Sequence, residues 1–463
     1  MGSAFGLVPV GDRVPLGAHN RSALRLGTHR LARSVAVLVS MSGLLWGPAA
    51  SALPLEDAVH TALTSHPSIL AAQQVQRAAG QAVNIVGAGL LPTVDLRVAD
   101  GWARTNNTTT RGRSSRGPED EPQAVTLERF NSSLTISQML FDGFATKSRT
   151  VSAQARLEGA TFNVIGVSEA VALRAVQGYL NVVQGEALVG LARDYVAAYE
   201  QTVAAIKEQV EGGTGTEADQ AQAVGRLAGA EAALTQFEGG LADAQAAYRE
   251  AVGDWPSKLV APVVSETLLP TTVEDAVAQA VSGHPSLRAA ADNIRSLESD
   301  LRAAGAPFLP RVTFDVTGTR NNNDGGVVGP GGDVTAMVTM TYNLFRGGAD
   351  KAQVEGAKAL LAEGKLRLDE QRRTIEQSVR VAFNAFTQAK QRLPQLEDAA
   401  KGTAQNREAF QGKFDLGQQT LIDRLTVEDQ YFQANSAFTA AKFAVMIGHY
   451  QVLASLGRLR TAF

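Results

Sequence analysis

Residues Ala349 to Asp415 read ADKAQVEGAKALLAEGKLRLDEQRRTIEQSVRVAFNAFTQAKQRLPQLEDAAKGTAQNREAFQGKFD. Within this stretch Val354, Leu361, Leu368, Ile375, Ala382, Ala389, Leu396, Thr403 and Phe410 recur every seventh residue, and Val379, Phe386, Leu393, Ala400 and Phe414 form a second stripe beside them. A seven-residue apolar period held over so many turns specifies helices supercoiled left-handedly against neighbours. At ~1.5 Å per residue such a helix reaches ~100 Å, too long for an ordinary globular domain. Pro394 lies inside it and should bend it locally or cost ~3 kcal/mol. An earlier stretch carries the equivalent stripe at Ala175, Val182, Val189, Val196, Val203 and Val210.

The second stripe belongs to a duplication. Glu56-Asp57-Ala58-Val59 recurs as Glu274-Asp275-Ala276-Val277, His66-Pro67-Ser68 as His284-Pro285-Ser286, and Leu91-Pro92 as Leu309-Pro310, all at an offset of 218. Leu140-Phe141-x-Gly143 recurs as Leu344-Phe345-x-Gly347 at an offset of 204, which still holds at Gly213/Gly417, Asp219/Asp423 and Gly253/Gly457. One insertion between Pro92 and Gln138 reconciles the two offsets; it lengthens a polar stretch containing RTNNTTTRGRSSRGPEDEP, read as a solvated loop. The expected organisation is a leader over 1–52, a first repeat over 53–254, a Pro-rich linker over 255–271, a second repeat over 272–459 and a tail over 460–463. Each repeat reads as helix, strand, polar loop, strand, very long helix, Gly turn and helix.

The strands alternate. Val94, Leu96 and Val98 oppose Asp95, Arg97 and Ala99, with Trp102 extending the apolar face, and Val312, Phe314 and Val316 oppose Thr313, Asp315 and Thr317. The returning strands show the same period at Leu134, Ile136 and Leu140, and at Val334, Ala336, Val338, Met340 and Tyr342. Segments of about ten alternating residues between polar loops match strands that cross an outer membrane. Such strands must close, because an open edge leaves backbone donors and acceptors unpaired in hydrocarbon. Four strands are too few for a barrel, and eight from a dimer enclose a lumen filled by side chains. Three copies give twelve strands and an open lumen. A plain coiled-coil rod would explain the heptads and leave the strands without a purpose.

The first 52 residues carry Arg13, Arg21, Arg25, Arg30 and Arg33 against Asp12 alone, followed by the uncharged SVAVLVSMSGLLWGPAASA ending at Ala50 and Ala52. A basic region, an apolar core and an Ala-x-Ala site predict a secretory signal peptide cleaved after Ala52, in preference to a transmembrane anchor. The chain has 463 residues, a formal net charge of -3 and no Cys. That balance offers nucleic acid no basic surface. Without Cys there is no disulfide framework, thiolate metal site, cysteine nucleophile or acylated cysteine anchor. No convergent nucleophile, base or metal-ligand set is present, so no enzyme and no cofactor is expected. His66-Pro67 and His284-Pro285 read as helix starts, where Pro is favoured at the first position, and not as metal ligands.

The two-copy layout, the Leu-Phe-x-Gly strand-to-helix motif and the Gly-x-x-Thr-x-x-Asp helical turn resemble the TolC-like outer membrane factors of Gram-negative bacteria, over about Leu53 to Leu459. The fold class expected is mainly α with membrane β, two structural repeats making one third of a trimeric 12-stranded β-barrel continued by a long α-helical coiled-coil barrel. The resemblance implies a homotrimeric exit duct in the outer membrane, extending into the periplasm. It also implies contact with outer membrane lipid, a periplasmic adaptor protein, and an inner-membrane ABC exporter or proton-driven pump. GQQTLIDRLTVEDQYFQA, Gly417 to Ala434, resembles the type I protein secretion branch more than the multidrug branch. Small-molecule efflux and a non-conducting periplasmic coiled-coil protein are the alternatives.

By the same resemblance, Gly213, Thr216, Gly417 and Thr420 mark the helix-turn tip that meets the adaptor, and Gly143 and Gly347 the strand-to-helix junctions. Asp423 matches the first of two acidic pore positions, and Thr426 occupies the second, so one carboxylate ring is missing. Asp219 matches an acid of the family's closing network, whose aromatic and arginine partners fall at Phe414 and Gln419. A phenol and a guanidinium are thereby lost, and a gate held by other contacts is expected. Asp219 and Asp423 also suit helix N-termini, where acids complement the dipole and cap free N–H groups.

Overall fold

A computed structural model describes residues 53–111, 124–263, 268–415 and 420–463. The expected leader and part of the inserted loop lie outside the described residues. The first half runs α1 (Leu55–Ser65), α2 (Pro67–Gly87), β1 (Thr93–Thr105), the single turn α3 (Thr108–Arg111), β2 (Val125–Phe141), α4 (Ala145–Glu211) and α5 (Glu217–Val252). The second runs α6 (Val273–Gly283), α7 (Pro285–Ala304), β3 (Arg311–Asn322), β4 (Pro330–Thr341), α8 (Ala349–Asp415) and α9 (Leu421–Ser455). No helix among the described residues is long and apolar enough to cross a membrane.

Two details differ from the sequence reading. Two helices, not one, precede the first strand of each half, because Pro67 and Pro285 hold His66 and His284 in extended backbone with ψ of 127° and 129°. Each histidine then caps the next helix: Nδ1 of His66 accepts from Ser68 N at 3.1 Å, and Nδ1 of His284 from Ser286 N at 3.2 Å. The strands are also longer than ten residues, at 13, 17, 12 and 12. β1 and β2 stay paired beyond the apolar rows as far as Thr105 and Val125.

The sheet is an antiparallel meander, β1-β2-β3-β4. Its register sorts the side chains by face. Val94–Ile136–Val316–Ala336 and Leu96–Leu134–Gly318–Val334 form rows on one face, with Val94, Leu96, Val334 and Trp102 between 63% and 80% exposed. Asp95–Thr135–Thr317–Thr335 and Arg97–Ser133–Thr319–Asp333 form rows on the other. β1 and β4 are hydrogen-bonded on one side only.

Both long helices have 67 residues, and α8 runs without interruption through Pro394, which is exposed. α2 packs along the first third of α4 and α5 along the rest; α7 and α9 are stacked likewise and are shared between α4 and α8. Small residues let these helices approach. A Cβ on Gly178 would sit 3.0 Å from the Tyr248 Cα. The heptad stripes supply the seams: Ala175, Val182, Val189, Val196, Ile375, Val379, Phe386, Ala400 and Phe410 are buried. Around the middle of the body, the buried Tyr179 hydroxyl sits 2.7 Å from Leu53 O and 2.8 Å from Val260 O and accepts from Val260 N. The buried carboxylate of Glu169 accepts from Leu459 N at 2.7 Å and Arg460 N at 3.1 Å, pinning the last turn; burial raises its pKa.

The His284 cap makes stability depend on pH. Capping requires an unprotonated Nδ1, and burial lowers the His284 pKa below its ordinary 6.5. The unfolded chain therefore binds a proton more readily than the folded one, so this contribution is complete above pH 6.5 and declines as pH falls. Asn caps as well and does not titrate. His284→Asn should show a smaller drop in thermal midpoint between about pH 7.5 and about pH 5 than the parent; an equal drop would contradict the cap's role.

Candidate functional site

At the end of the helical body remote from the sheet, α4 turns into α5 through Gly212 to Gly215. Gly213 adopts φ of +76°, a left-handed conformation that glycine takes without strain, and Thr214 N and Gly215 N both donate to Gln209 O, at 2.8 and 2.9 Å. Thr216 caps α5: its hydroxyl accepts from Asp219 N at 3.1 Å and donates to the Asp219 carboxylate at 2.8 Å. The second half has the full reciprocal box. Thr420 Oγ1 accepts from Asp423 N at 3.1 Å, while Asp423 Oδ2 accepts from Thr420 N at 3.3 Å and from its hydroxyl at 2.6 Å.

Asp219 and Asp423 therefore do perform helix-capping chemistry; Asp219 is half-buried and Asp423 is exposed. Each keeps acceptor capacity beyond these bonds, since an ionised carboxylate has about four lone-pair sites. Gly417 and Gln419 lie outside the described residues, as does the side chain of Phe414. Thr426 is not idle: its hydroxyl accepts from Arg226 Nη1 at 3.0 Å, joining α9 to α5.

Further ties hold the same end of α9. Tyr195 on α4 donates to Asp429 Oδ1 at 3.0 Å, and Tyr199, one turn on, donates to the carbonyl of Leu425 at 2.8 Å. The Tyr195 ring stacks on Phe432 with centroids 4.3 Å apart. From α8, Arg407 reaches the buried Glu428 at 2.8 Å and lies over the Tyr431 ring. Desolvation raises the pKa of both tyrosines, so each remains a neutral donor, and the Glu428 hydrogen bond raises that of Arg407. Sequence reasoning missed Arg226, Tyr195, Tyr199, Asp429 and the Arg407–Glu428 pair. The one available signal was Tyr195 and Tyr199, four apart and so on one helix face.

At the opposite end, each sheet-to-helix junction turns on a left-handed glycine. Gly143 has φ of +67°, and a Cβ there would stand 2.6 Å from Ala306 O, against the connector that leads from α7 to β3. Gly347 has φ of +63° with open space around it. Asp142 Oδ2 accepts from Thr146 N at 2.7 Å and from its hydroxyl at 2.6 Å, securing the start of α4.

A sheet apolar on one face, open at both edges and carried on ~100 Å helices describes a membrane duct in part. The family model described as outer membrane efflux protein matches residues 58–254 and 276–458. The chain belongs to this family. It is 24% identical to the outer membrane efflux protein BepC of Brucella suis over 70% of this chain and 72% of that one. It is 22% identical to the outer membrane protein TolC of Vibrio cholerae over 92% of this chain and 94% of that one. The fold superposes on the CmeC outer membrane channel of Campylobacter jejuni with a TM-score of 0.74 at 16% identity, covering 88% of this chain and 86% of that one. The efflux family member described here is an outer-membrane protein extending into the periplasm, and its family and fold are those of channels rather than enzymes.

The contacts on α9 carry measurable weight. Tyr199 is 1% exposed, and removing its hydroxyl deletes a buried bond to the Leu425 carbonyl, which keeps its own helical partner, at a cost of ~0.5–1.5 kcal/mol. Tyr199→Phe combined with Arg226→Ala should accelerate amide hydrogen exchange over 421–432 while leaving α2 and α7 unchanged. Unaltered exchange over 421–432 would mean that these bonds do not hold α9.

Proposed function

We propose that three copies close into a 12-stranded barrel, and that the assembly is the exit duct of a tripartite export system, serving type I protein secretion. The carrying observation is the sheet itself: one apolar face, one polar face, and two edges that pair with no further strand among the described residues. In hydrocarbon each unsatisfied group costs several kcal/mol, so β4 of one copy pairs with β1 of the next.

The duplication extends this pairing to the helices. Within the chain α4 packs on α7 with the Ser152 and Ser296 hydroxyls 2.9 Å apart. Offsets of 204 and 218 carry that contact to Gly356 on α8 and Ala78 on α2 of the neighbouring copy. Among the described residues nothing covers either face, and both bear exposed apolar side chains, Leu360 and Leu366 on α8, Val75 and Ile85 on α2. By the same rule Gly347 packs on the neighbour's connector near Ala88, as Gly143 packs on Ala306. Because the natural chain has no Cys, the paired substitution Ala78→Cys with Gly356→Cys is a clean test. It should give a cross-linked ladder ending at three chains under oxidation; chains that remain monomeric in the gel would overturn the packing.

The tip at Gly213, Thr216 and Thr420, to which the resemblance also assigns Gly417, meets a periplasmic adaptor, and an inner-membrane pump supplies the energy. Asp423 faces the axis, three carboxylates favour cations, and Asp219 supports the closed tip. Phe414 and Gln419 cannot reproduce a phenol and guanidinium lock, so the bonds from Arg226, Tyr195, Tyr199 and Arg407 hold α9 instead. Asp423→Ala should lower cation selectivity and weaken divalent-cation block in planar bilayers, and unchanged block would remove Asp423 from the pore. The type I reading rests on the Gly417–Ala434 resemblance, and small-molecule efflux is favoured by the likeness to BepC, an efflux protein by name. Deleting the gene should abolish export of a large protein; a strain that instead only becomes drug-sensitive supports efflux.

A further inference from the structure

We propose that the strand-to-helix junctions form a collar for anionic glycerophospholipid headgroups in the inner leaflet of the outer membrane, with Lys147 and Lys351 holding the phosphates. This rests on the barrel reading above. Phe144 is 57% exposed, and its ring meets Phe141 edge-on at a centroid distance of 5.2 Å. Phe141 is the register partner of Val312, on the apolar face of the sheet. Phe144 therefore continues that face past the last strand row, and Lys147 follows within one helical turn. At ~100° per residue Lys147 and Val151 share one side of α4, while Arg149 and Arg156 fall on the opposite side. Lys147 stands on the lipid side.

The second junction repeats the arrangement. Leu344 and Phe345 are 88% and 85% exposed, and Lys351 is the counterpart of Lys147 at the offset of 204. The nearby acids are already engaged: Asp142 by Thr146, Asp350 by Arg346 at 2.9 Å, and Glu355 by Lys358 at 2.9 Å. Among the described residues neither Lys147 nor Lys351 has a carboxylate within ion-pair distance, and both are exposed. The Lys358 hydrogen bond chiefly lowers the Glu355 pKa, and Lys351, one turn away, adds to that only at a distance, without a direct ion pair. An aromatic rim followed by an exposed lysine is the pattern that lets an aliphatic stem lie along lipid with its ammonium at the phosphate level. The junctions lie where the helical body leaves the sheet, and that body extends into the periplasm, so the leaflet met is the inner one. Three copies place six such lysines around the barrel.

Native mass spectrometry of the trimer in mild detergent, with equimolar phosphatidylglycerol, phosphatidylethanolamine and lipid A added, reads the collar directly. Phosphatidylglycerol should be retained in preference, and Lys147→Glu with Lys351→Glu should reduce its retention roughly tenfold or more. Arg149→Glu should leave retention unchanged. Equal retention of phosphatidylglycerol and phosphatidylethanolamine, or insensitivity to the double substitution, overturns the collar; so does preferential retention of lipid A, whose phosphates share the chemistry but lie in the other leaflet. Single-channel conductance of the same samples separates the two proposals. A conducting double variant that has lost the lipid supports the collar, whereas an unsubstituted protein that never conducts refutes the duct.

Discussion

An unpaired backbone amide in hydrocarbon is the constraint on which this architecture depends. The chain builds a four-stranded sheet that is apolar on one face, and a sheet of that kind has two edges. Water could satisfy them in a soluble protein, but lipid cannot. Neither edge carries a β-bulge, which marks only the interior β2–β3 pair, and only Pro330 at the start of β4 lacks a donor. Edges left so regular are suited to pairing with another strand. In the proposed duct the sheet thus transfers the closure problem from one chain to an assembly, for which every helix below must be spaced.

The helical body answers with seams that serve two neighbours at once. α4 is flanked on both sides within the chain, whereas α8 is flanked on one. The seven-residue period keeps each stripe facing its partner along the whole rod, which a period of 3.6 would not. Core residues of the seams are small, Ala175, Ala192 and Ala198 on α4 for instance, so interaxial distances stay short and each helix gains little burial per residue. Polar contacts compensate toward the tip, where Tyr199, Glu428 and Arg407 are buried or half-buried and each is paired.

What was legible in the sequence follows from the range of each interaction. The long helices were legible because the heptad stripes are local patterns, and the strands because alternation is local too. The helix N-terminal role of Asp219 and Asp423 could be read for the same reason, as could the glycine turns, whereas Thr216 and Thr420 read as tip residues and not as caps. His66-Pro67 reads as a helix start, and what stays hidden is the short helix before it, because the same proline also ends whatever precedes it. Tyr195 and Asp429 are 234 residues apart in the chain, and Arg226 and Thr426 are 200 apart. No window of sequence joins them, and only the stacking of α9 against both α4 and α5 brings them together. The resemblance directed attention to Phe414 and Gln419, and the contacts that hold α9 lie one to three turns further along it.

The two repeats are alike in backbone and unlike in what they bury, and the difference has a physical logic. Where α4 meets α7 inside one chain the contact is polar: Ser152 with Ser296, Arg156 with Asp300, and Arg295 with both Glu158 and Asp292. At the equivalent positions, which the proposed assembly turns toward a neighbouring copy, stand Gly356, Leu360 and Ala362 on α8, and Ala78 and Ala82 on α2; Gln74 and Arg77, the counterparts of Asp292 and Arg295, alone stay polar. A polar contact fixes register when the two helices belong to one chain, because their effective concentration is already high. Between chains, association must first repay lost translational and rotational freedom, and directional bonds to well-hydrated side chains contribute little net free energy toward that. Small and aliphatic residues release water over a continuous strip without requiring any one geometry. In the proposed assembly duplication therefore supplied two copies of one interface, and divergence made the inner one specific and the outer one adhesive.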